Sequence, residues 1–275
     1  MIKKFKRFIK KNLPKTFKIL KLLKQKNNDI SFDGWGLLTT STNSPWENDN
    51  KNSKIFNRIH SKILDDIKKR NFIDTTPGND IHDSIETLEC LKWRHYIIYI
   101  SVNLALDSNN KKNFVECGVG DGLSISYVLD QITKLNSKVY LYDSWSEMKK
   151  EYLFTKKEYK NIGSYKSLKF QVTKDNLEKY SDKIIYNKGY IPDIFKSSIN
   201  PSMISWLHID LNSSIPTLRC LEFFYEKLEI NGVIIFDDYG WKGYEDTREI
   251  IDNFLEIKKG TFFQFPTGQG LFIKK

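Results

Sequence analysis

The sequence predicts an α/β fold built on a mostly parallel sheet, which follows a helical N-terminal region and ends in an antiparallel hairpin. From residue 112 onward, short apolar runs of strand type alternate with segments of helical spacing, a pattern typical of β-α-β units. Two apolar runs, Thr261–Phe265 and Gly270–Ile273, close the chain around a Pro-Thr-Gly-Gln turn and predict the hairpin. Helical spacing at residues 53–70 and 84–106 precedes the sheet.

The predicted elements of the sheet region are short and evenly spaced. We expect strands at residues 113–117, 138–142, 183–187, 203–209 and 232–236, and helices at residues 122–135, 173–180, 216–229 and 244–257. Alternation of this kind places helices on both faces of a parallel sheet. The chain therefore divides into a basic tail (1–28), a helical and flap region that covers the ligand site (29–106) and a ligand-binding domain (107–275).

Composition indicates the cellular compartment of the protein. None of the 275 residues falls in an apolar run of about 18–20, so no transmembrane helix is expected. The three cysteines, Cys90, Cys117 and Cys220, are scattered and form no C-x-x-C pair. This spacing argues against a disulfide framework and a zinc site, and it favours a reducing, cytoplasmic location.

The formal net charge of +10 is concentrated in the tail. Residues 1–28 hold eleven Lys/Arg and no Asp/Glu, whereas the rest of the chain carries 33 basic and 34 acidic residues. The body has no excess of positive charge from which to propose a nucleic-acid partner.

The tail has the pattern of a basic amphipathic helix interrupted at Pro14. Ile2, Phe5, Ile9 and Leu13 recur at mostly helical spacing, and lysines fill the other face. Through residues 1–26 such a helix can attach peripherally to an anionic membrane surface on the cytoplasmic side. A solvated or protein-packed helix is the equal alternative, and RNA contact is a third. Lysines interrupt any apolar core of a secretory signal.

A glycine-rich turn follows the first predicted strand, in the segment Phe-Val-Glu-Cys-Gly-Val-Gly-Asp-Gly (114–122). A strand, a glycine turn and a helix present main chain to nucleotide-like ligands. Asp121 would repel a pyrophosphate at this helix terminus, and Leu123 stands where a dinucleotide site has its third glycine. S-adenosylmethionine is cationic and carries no phosphate, so it fits this turn, flanked by the acids Glu116 and Asp121. A purely structural turn is the alternative.

Acidic residues end three of the later strands, where ligands bind in doubly wound sheets. Asp143 is placed to accept hydrogen bonds from a ribose, or else to cap a helix. Asp210, Asp237 and Asp238 would repel one another unless a cation lies between them, and Mg²⁺ or Mn²⁺ prefers such oxygen ligands. Helix capping or pairing with Lys/Arg is the alternative for these three acids.

Few other side chains are candidates for a catalytic or ligand-binding role. His208 lies two residues before Asp210 and shares its face of the strand, so it is a candidate proton acceptor, with a packed or hydrogen-bonded histidine as the alternative. Arg94 can anchor an anionic or polyhydroxyl group, although a surface ion pair is the simpler expectation.

Five motifs follow one another in order from residue 115. They are Val-Glu-Cys-Gly-Val-Gly-Asp-Gly at 115, Tyr-Asp-Ser-Trp at 142, Lys-Gly-Tyr-Ile-Pro-Asp at 188, His-Ile-Asp-Leu-Asn at 208 and Gly-Val-Ile-Ile-Phe-Asp-Asp-Tyr-Gly at 232. Together they resemble the motifs of the macrocin O-methyltransferase family. The resemblance covers about residues 110–275. It implies a Rossmann-like class I methyltransferase fold with seven strands, and a metal-dependent enzyme that methylates sugar hydroxyls.

The resemblance also implies roles for individual residues. Cofactor binding would fall to Glu116, Gly118, Gly120 and Asp143, and metal binding to Asp210, Asp237 and Asp238. Residues 188–193 and 33–36 would face the substrate. Asn212 stands where the family has a second acid, and Thr-Gly-Gln-Gly (267–270) stands where some members carry a catalytic histidine. The general base is therefore unassigned among a metal-bound carboxylate, His208 and solvent.

The predicted activity is methyl transfer from S-adenosylmethionine to a sugar hydroxyl, on a nucleotide sugar or a surface glycan precursor, with Mg²⁺ or Mn²⁺ as second cofactor. Three alternatives stay open: a non-sugar acceptor, an NAD-dependent sugar oxidoreductase, and a catalytically silent scaffold that keeps the fold. The sequence leaves homo-oligomer formation open.

Overall fold

The computed structural model describes residues 51–73, 88, 91–106 and 113–275, with the side chains of residues 51–53 excepted. The predictions for the basic tail and for residues 29–50, including the expected substrate-facing residues 33–36, lie outside these ranges. Within the described part of the chain, no helix has both the length and the apolar character needed to cross a membrane.

Two helices precede the sheet within the described residues, in the regions where the spacing predicts helices. Helix α1 spans Lys51–Lys68 and helix α2 spans Lys92–Leu106. The apolar side of α1 is buried through Phe56, Ile59 and Ile63, which pack with Tyr99 of α2. Helix α2 is buried more completely, because it lies between α1 and the sheet.

Seven strands form one mixed sheet, and the predicted fold is confirmed. They are β1 (Asn113–Cys117), β2 (Lys138–Asp143), β3 (Ile184–Lys188), β4 (Ile204–Ile209), β5 (Leu228–Phe236), β6 (Gly260–Gln264) and β7 (Gly270–Lys274). Their order is β3-β2-β1-β4-β5-β7-β6. The first five are parallel, and β7 runs antiparallel to both β5 and β6. All five parallel strands therefore end at the same edge of the sheet.

Four helices connect the strands: α3 (Leu123–Ile132), α4 (Phe170–Asn176), α5 (Ser214–Phe224) and α6 (Glu245–Leu255). Helix α4 is followed by a separate 3₁₀ turn at Glu178–Tyr180, and this pair takes the place of the single helix predicted over 173–180. The predicted extent of α5, to residue 229, is wrong, because β5 already begins at Leu228. Leu228 pairs with Ile204 of β4, and the register between the two strands then shifts before the next pair.

Alternation along the strands decides which residues reach the functional edge on each face. Phe114, Trp206 and Val233 face α2 and α3, whereas Val115, Leu207 and Ile234 face α5 and α6. On the face toward α2 and α3, the residues two positions further along the three strands are Glu116, His208 and Ile235. The indole nitrogen of Trp206 donates a hydrogen bond to Ser101 Oγ (2.8 Å), which fixes α2 against this face. This is the face on which the polar residues of the site collect.

Candidate active site

The glycine turn after β1 is shaped by contacts that only glycine permits. Gly118, Gly120 and Gly122 have φ values of 87°, 55° and 88°. A Cβ atom on Gly118 would collide with the main-chain carbonyl of Asp210, at the end of β4. The turn and the end of β4 therefore touch through their backbones.

Asp143, at the end of β2, holds this turn in place. Its Oδ2 accepts the backbone N–H groups of Val119 (2.7 Å) and Gly120 (2.9 Å), and its Oδ1 accepts that of Trp145 (2.6 Å). Burial raises the pKa of the Asp143 carboxyl, and these three donors oppose that shift. Asp143 also lines the cleft described below, so its expected contact with a ribose stays a prediction alongside this structural role.

Asp121 is buried inside the turn, and its side chain is 2% exposed. Its carbonyl accepts a hydrogen bond from Asn176 Nδ2 (2.9 Å), which ties the turn to α4. The residue lines the cleft together with Gly118 and Gly120. An acid in this position favours a cationic ligand over a pyrophosphate.

One cleft of about 360 Å³ runs from the glycine turn to the ends of β4 and β5. At one end it is lined by Gly118, Gly120 and Asp143. At the other end it is lined by Arg94, Tyr165, Asp210, Asp238, Trp241 and Tyr244. A donor at the glycine turn and an acceptor at the strand-end acids would therefore share a single space.

The predicted substrate-facing loop after β3 does border this cleft, through Gly189, Tyr190 and Ile191. The ring of Tyr190 stacks on that of Tyr152, with centroids 4.6 Å apart and planes 4° from parallel. Tyr152 donates a hydrogen bond to Asp193 (2.6 Å), so the two segments that form this wall are tied together. The role of the loop in substrate binding stays a prediction.

The three predicted metal-binding acids reach the same region, but they differ in burial. The Asp210 side chain is 26% exposed, whereas Asp237 is 1% exposed and Asp238 is 6% exposed. Asp238 Oδ2 accepts the backbone N–H of Asn212 (2.8 Å). Burial, followed by the charge of Asp210, raises the pKa of Asp238 to about 7.

Arg94, from α2, inserts between two of these acids. Its Nε donates to Asp237 Oδ1 (2.9 Å), its terminal nitrogen pairs with Asp237 Oδ2, and the same nitrogen lies 3.7 Å from Asp210 Oδ2. The guanidinium carbon is 5.2 Å from the Trp241 ring. The expectation of an ion pair is correct, but its expected position at the surface is wrong, because the Arg94 side chain is only 18% exposed.

Asp237 has a further partner that the sequence did not reveal. Gln269 is fully buried just before β7, and its amide donates to Asp237 Oδ1 (2.8 Å). It stands in the segment where some members of the resembled family carry a histidine. In this chain the segment supplies a neutral donor that orients a carboxylate.

Glu116 and His208 form a buried pair on the neighbouring strands β1 and β4. His208 Nδ1 lies 2.7 Å from Glu116 Oε1, and both side chains are fully buried. Burial lowers the pKa of His208 to about 4, and burial raises the pKa of Glu116 well above its usual range. Neither residue lines the cleft. The role of Glu116 in cofactor binding and the role of His208 in proton transfer therefore stay predictions, because the contact between the two side chains gives evidence for neither role.

A divalent cation fits the donor atoms on this face of the sheet. His208, Asp210 and Asp237 each offer one ligand atom, and these atoms lie within 4.8 Å of one another. The grouping differs from the predicted set, because His208 takes the place of Asp238. Arg94 now pairs with Asp237, so a cation would have to displace its guanidinium.

Several cleft residues had no signal in the sequence. Tyr165 has φ 66° and is half-buried near the acids, where desolvation and then the charges of Asp210 and Asp238 raise its phenol pKa well above the usual value. Tyr244 donates a hydrogen bond to Asn212 Oδ1 (2.7 Å). Both tyrosines come from connecting segments whose path a single sequence does not predict.

Comparison with known proteins identifies the fold and the type of domain. Residues 115–239 match a family model described as a methyltransferase domain. This match covers the glycine turn and the strand-end acids, within a sheet of the same topology that the resemblance implies. Residues 115–239 therefore contain a methyltransferase domain within a class I methyltransferase fold. This supports the predicted use of S-adenosylmethionine and gives no support to the oxidoreductase alternative.

Solved structures share the fold at low sequence identity. The O-methyltransferase NovP is 13% identical with a TM-score of 0.62, over 82% of this chain and 100% of NovP. The methyltransferase PaMTH1 of Podospora anserina, solved with S-adenosylhomocysteine, is 10% identical with a TM-score of 0.51, over 78% and 87% of the two chains. The calicheamicin methyltransferase CalS11 is 12% identical with a TM-score of 0.50, over 82% and 93%. No curated protein sequence matches the chain.

Proposed function

We propose that this methyltransferase transfers the methyl group to oxygen, on a sugar hydroxyl of a nucleotide sugar or a surface glycan precursor, with a divalent cation bound at the acceptor end. The observation that carries this proposal is the single cleft joining the glycine turn to Asp210 and Asp238. NovP, which shares the fold, is an O-methyltransferase. The sugar acceptor rests on the resemblance of the sequence motifs to the macrocin O-methyltransferase family.

The residues at the donor end bind and orient the cofactor. The main chain of the glycine turn, fixed by Asp143, presents a rigid surface to S-adenosylmethionine. When bound there, S-adenosylmethionine would supply an electrophilic methyl group. Its transfer to the acceptor oxygen would form a C–O bond as the C–S bond breaks and leaves its electron pair on sulfur. Opposite charges are consumed in this step, so exclusion of water and a short approach distance lower the barrier most.

The residues at the acceptor end supply charge and position. Asp210 and Asp237, with Asp238 beside them, would hold the cation, predicted as Mg²⁺ or Mn²⁺. When bound, such a cation lowers the pKa of a coordinated hydroxyl. Asp238 lines the cleft and would accept the hydroxyl proton directly or through solvent, whereas His208 lies beneath the cleft surface. Tyr165 and Tyr244 close the wall around the acids.

Mass spectrometry of candidate acceptors tests this proposal. Purified enzyme, isotope-labelled S-adenosylmethionine and Mg²⁺ or Mn²⁺ are incubated with a panel of nucleotide sugars and with non-sugar phenols and catechols. We expect the labelled methyl group on a sugar oxygen, and loss of the product in excess chelator. Labelling of only the non-sugar acceptors would contradict the sugar assignment, and full activity in chelator would contradict the metal.

Calorimetry with S-adenosylhomocysteine separates an active site from a silent scaffold. We expect saturable binding of S-adenosylhomocysteine and no binding of NADH, because Asp121 lines the cleft at the glycine turn, where its charge would repel a pyrophosphate. A folded protein that binds neither ligand would support the scaffold.

A further inference from the structure

The buried His208 ring has one nitrogen in use and one directed toward the acids. Nδ1 contacts Glu116 Oε1 at 2.7 Å, whereas Nε2 has no hydrogen-bond partner among the described residues. Its neighbour Asp237 Oδ1 lies 3.6 Å away. Buried polar nitrogens are nearly always satisfied in folded proteins. A fully buried nitrogen left without a donor or acceptor therefore points to a ligand on that side of the ring.

The spacing of the surrounding atoms suits a metal ion. His208, Asp210 and Asp237 each offer one potential ligand atom, and these three atoms all lie within 4.8 Å of one another. Ligands of an octahedral ion at about 2.1–2.2 Å are about 3 Å apart when adjacent and about 4.3 Å apart when opposite. Small side-chain shifts would bring the three atoms onto one ion, once Arg94 leaves Asp237.

Glu116 supplies the orientation that a ligating histidine needs. A histidine that binds a metal through one nitrogen usually donates the other N–H to a carboxylate or carbonyl. Strand pairing places Glu116 directly beside His208, so its Oε1 is fixed within hydrogen-bond distance of Nδ1. With the proton on Nδ1, the Nε2 lone pair faces Asp210 and Asp237.

We propose that His208, through Nε2, is a ligand of the divalent cation, with Glu116 as its positioning residue. This rests on the metal dependence in the proposed function and adds the identity of a nitrogen ligand. Imidazole suits first-row transition ions, whereas Mg²⁺ prefers oxygen. The site therefore selects Mn²⁺ over Mg²⁺, and the ion replaces the Arg94 guanidinium on Asp237.

Pulsed EPR of Mn²⁺ bound to the wild-type protein tests the ligand directly. We expect electron spin-echo modulation from a coordinated ¹⁴N nucleus, and Mn²⁺ binding at least about tenfold tighter than Mg²⁺ binding. The modulation should vanish in His208→Gln and persist in His60→Gln, a matched control in which the buried histidine lies on α1 and bonds Tyr127. Glu116→Gln should weaken Mn²⁺ binding about 10–100-fold. S-adenosylhomocysteine binding monitors the folding of each variant.

The outcomes separate this inference from the function on which it rests. Bound Mn²⁺ without nitrogen modulation in the wild-type protein would overturn the role of His208 and leave the metal dependence standing. Failure of the wild-type protein to bind any divalent ion, together with full methyl transfer in chelator, would overturn both. Because the decisive spectrum is recorded on the wild-type protein, misfolding of a variant does not obscure the result.

Discussion

The two ends of the cleft are built in different ways. At the donor end, successive residues of one turn present their backbone, and Asp143 fixes that turn through three main-chain N–H groups. At the acceptor end, side chains from four separate parts of the chain meet: Arg94, Asp210, Asp237 and Gln269. Local sequence therefore determines the donor end, whereas tertiary packing assembles the acceptor end.

Asp210→Asn separates the two ends most sharply. The variant loses a carboxylate at the acceptor end, so we expect methyl transfer to fall about 10²–10³-fold, as when one preorganised charged or polar group is removed from a transition state. Calorimetric binding of S-adenosylhomocysteine should be unchanged. Asp182→Asn, at a side chain that is 75% exposed, is the control and should keep full activity. Equal loss of cofactor binding and turnover would mean that the ends are not separable.

Gly118→Ala tests the backbone character of the donor end. Its Cβ would meet the Asp210 carbonyl at a positive φ, so we expect a loss of about 2–4 kcal/mol in the free energy of unfolding, measured by urea denaturation, together with weaker cofactor binding. Gly163 has a similar φ of 76°, but a Cβ there would meet only Glu147 Oε2 at 4.0 Å, an ordinary contact, so Gly163→Ala should cost only about 1 kcal/mol. Equal costs in the two variants would show that the carbonyl contact is unimportant.

Arg94→Gln tests the charge balance at the acceptor end. Without the guanidinium, Asp237 loses its cation, so we expect Mn²⁺ binding to tighten about tenfold while the metal-free protein loses about 2–3 kcal/mol of stability. Isothermal titration and thermal melting with and without Mn²⁺ measure the two effects. Arg219→Gln, which removes an exposed pair with Glu222, should change neither. Weaker Mn²⁺ binding in Arg94→Gln would instead make Arg94 a support of the metal site.

The smallest effect is expected from pH. Because the pKa of Asp238 is raised to about 7, its carboxyl is uncharged below that pH and charged above it. A cation binds the charged form, so Mn²⁺ affinity should rise with pH, by up to roughly tenfold per unit below pH 7, and level off above it. The contribution of this carboxyl should disappear in Asp238→Asn, measured by titration between pH 6 and 8. An unchanged slope in that variant would assign the titration to another group.

The fold could be predicted from the sequence because its signals are local, and the glycine turn is a local signal too, although its role in cofactor binding stays a prediction. Short apolar runs marked the strands, and the glycine turn lies where the structure brings the backbone against Asp210. Strand ends also identified Asp210, Asp237 and Asp238 as neighbours. The limit of β5 was missed because Leu228 fits a helix as well as a strand until its pairing with Ile204 is known.

The partners of the acids could not be predicted, since each lies far away in the chain. Arg94 is 143 residues from Asp237, and Gln269 is 32 residues beyond it. The pairing of Glu116 with His208 depends on β1 lying beside β4, an order that follows from topology and not from spacing. A pattern identifies the acids, but only the packed sheet shows what they contact.

The contact between Gly118 and the carbonyl of Asp210 has a consequence for redesign. Because the two strand ends meet through main-chain atoms, the separation between the two halves of the cleft does not depend on which side chains line it. New acceptor preferences can therefore be sought by exchanging cleft-lining residues such as Tyr152, Tyr165 and Tyr190. The distance between the donor end and the acceptor end should stay the same in such variants, because the sheet determines it.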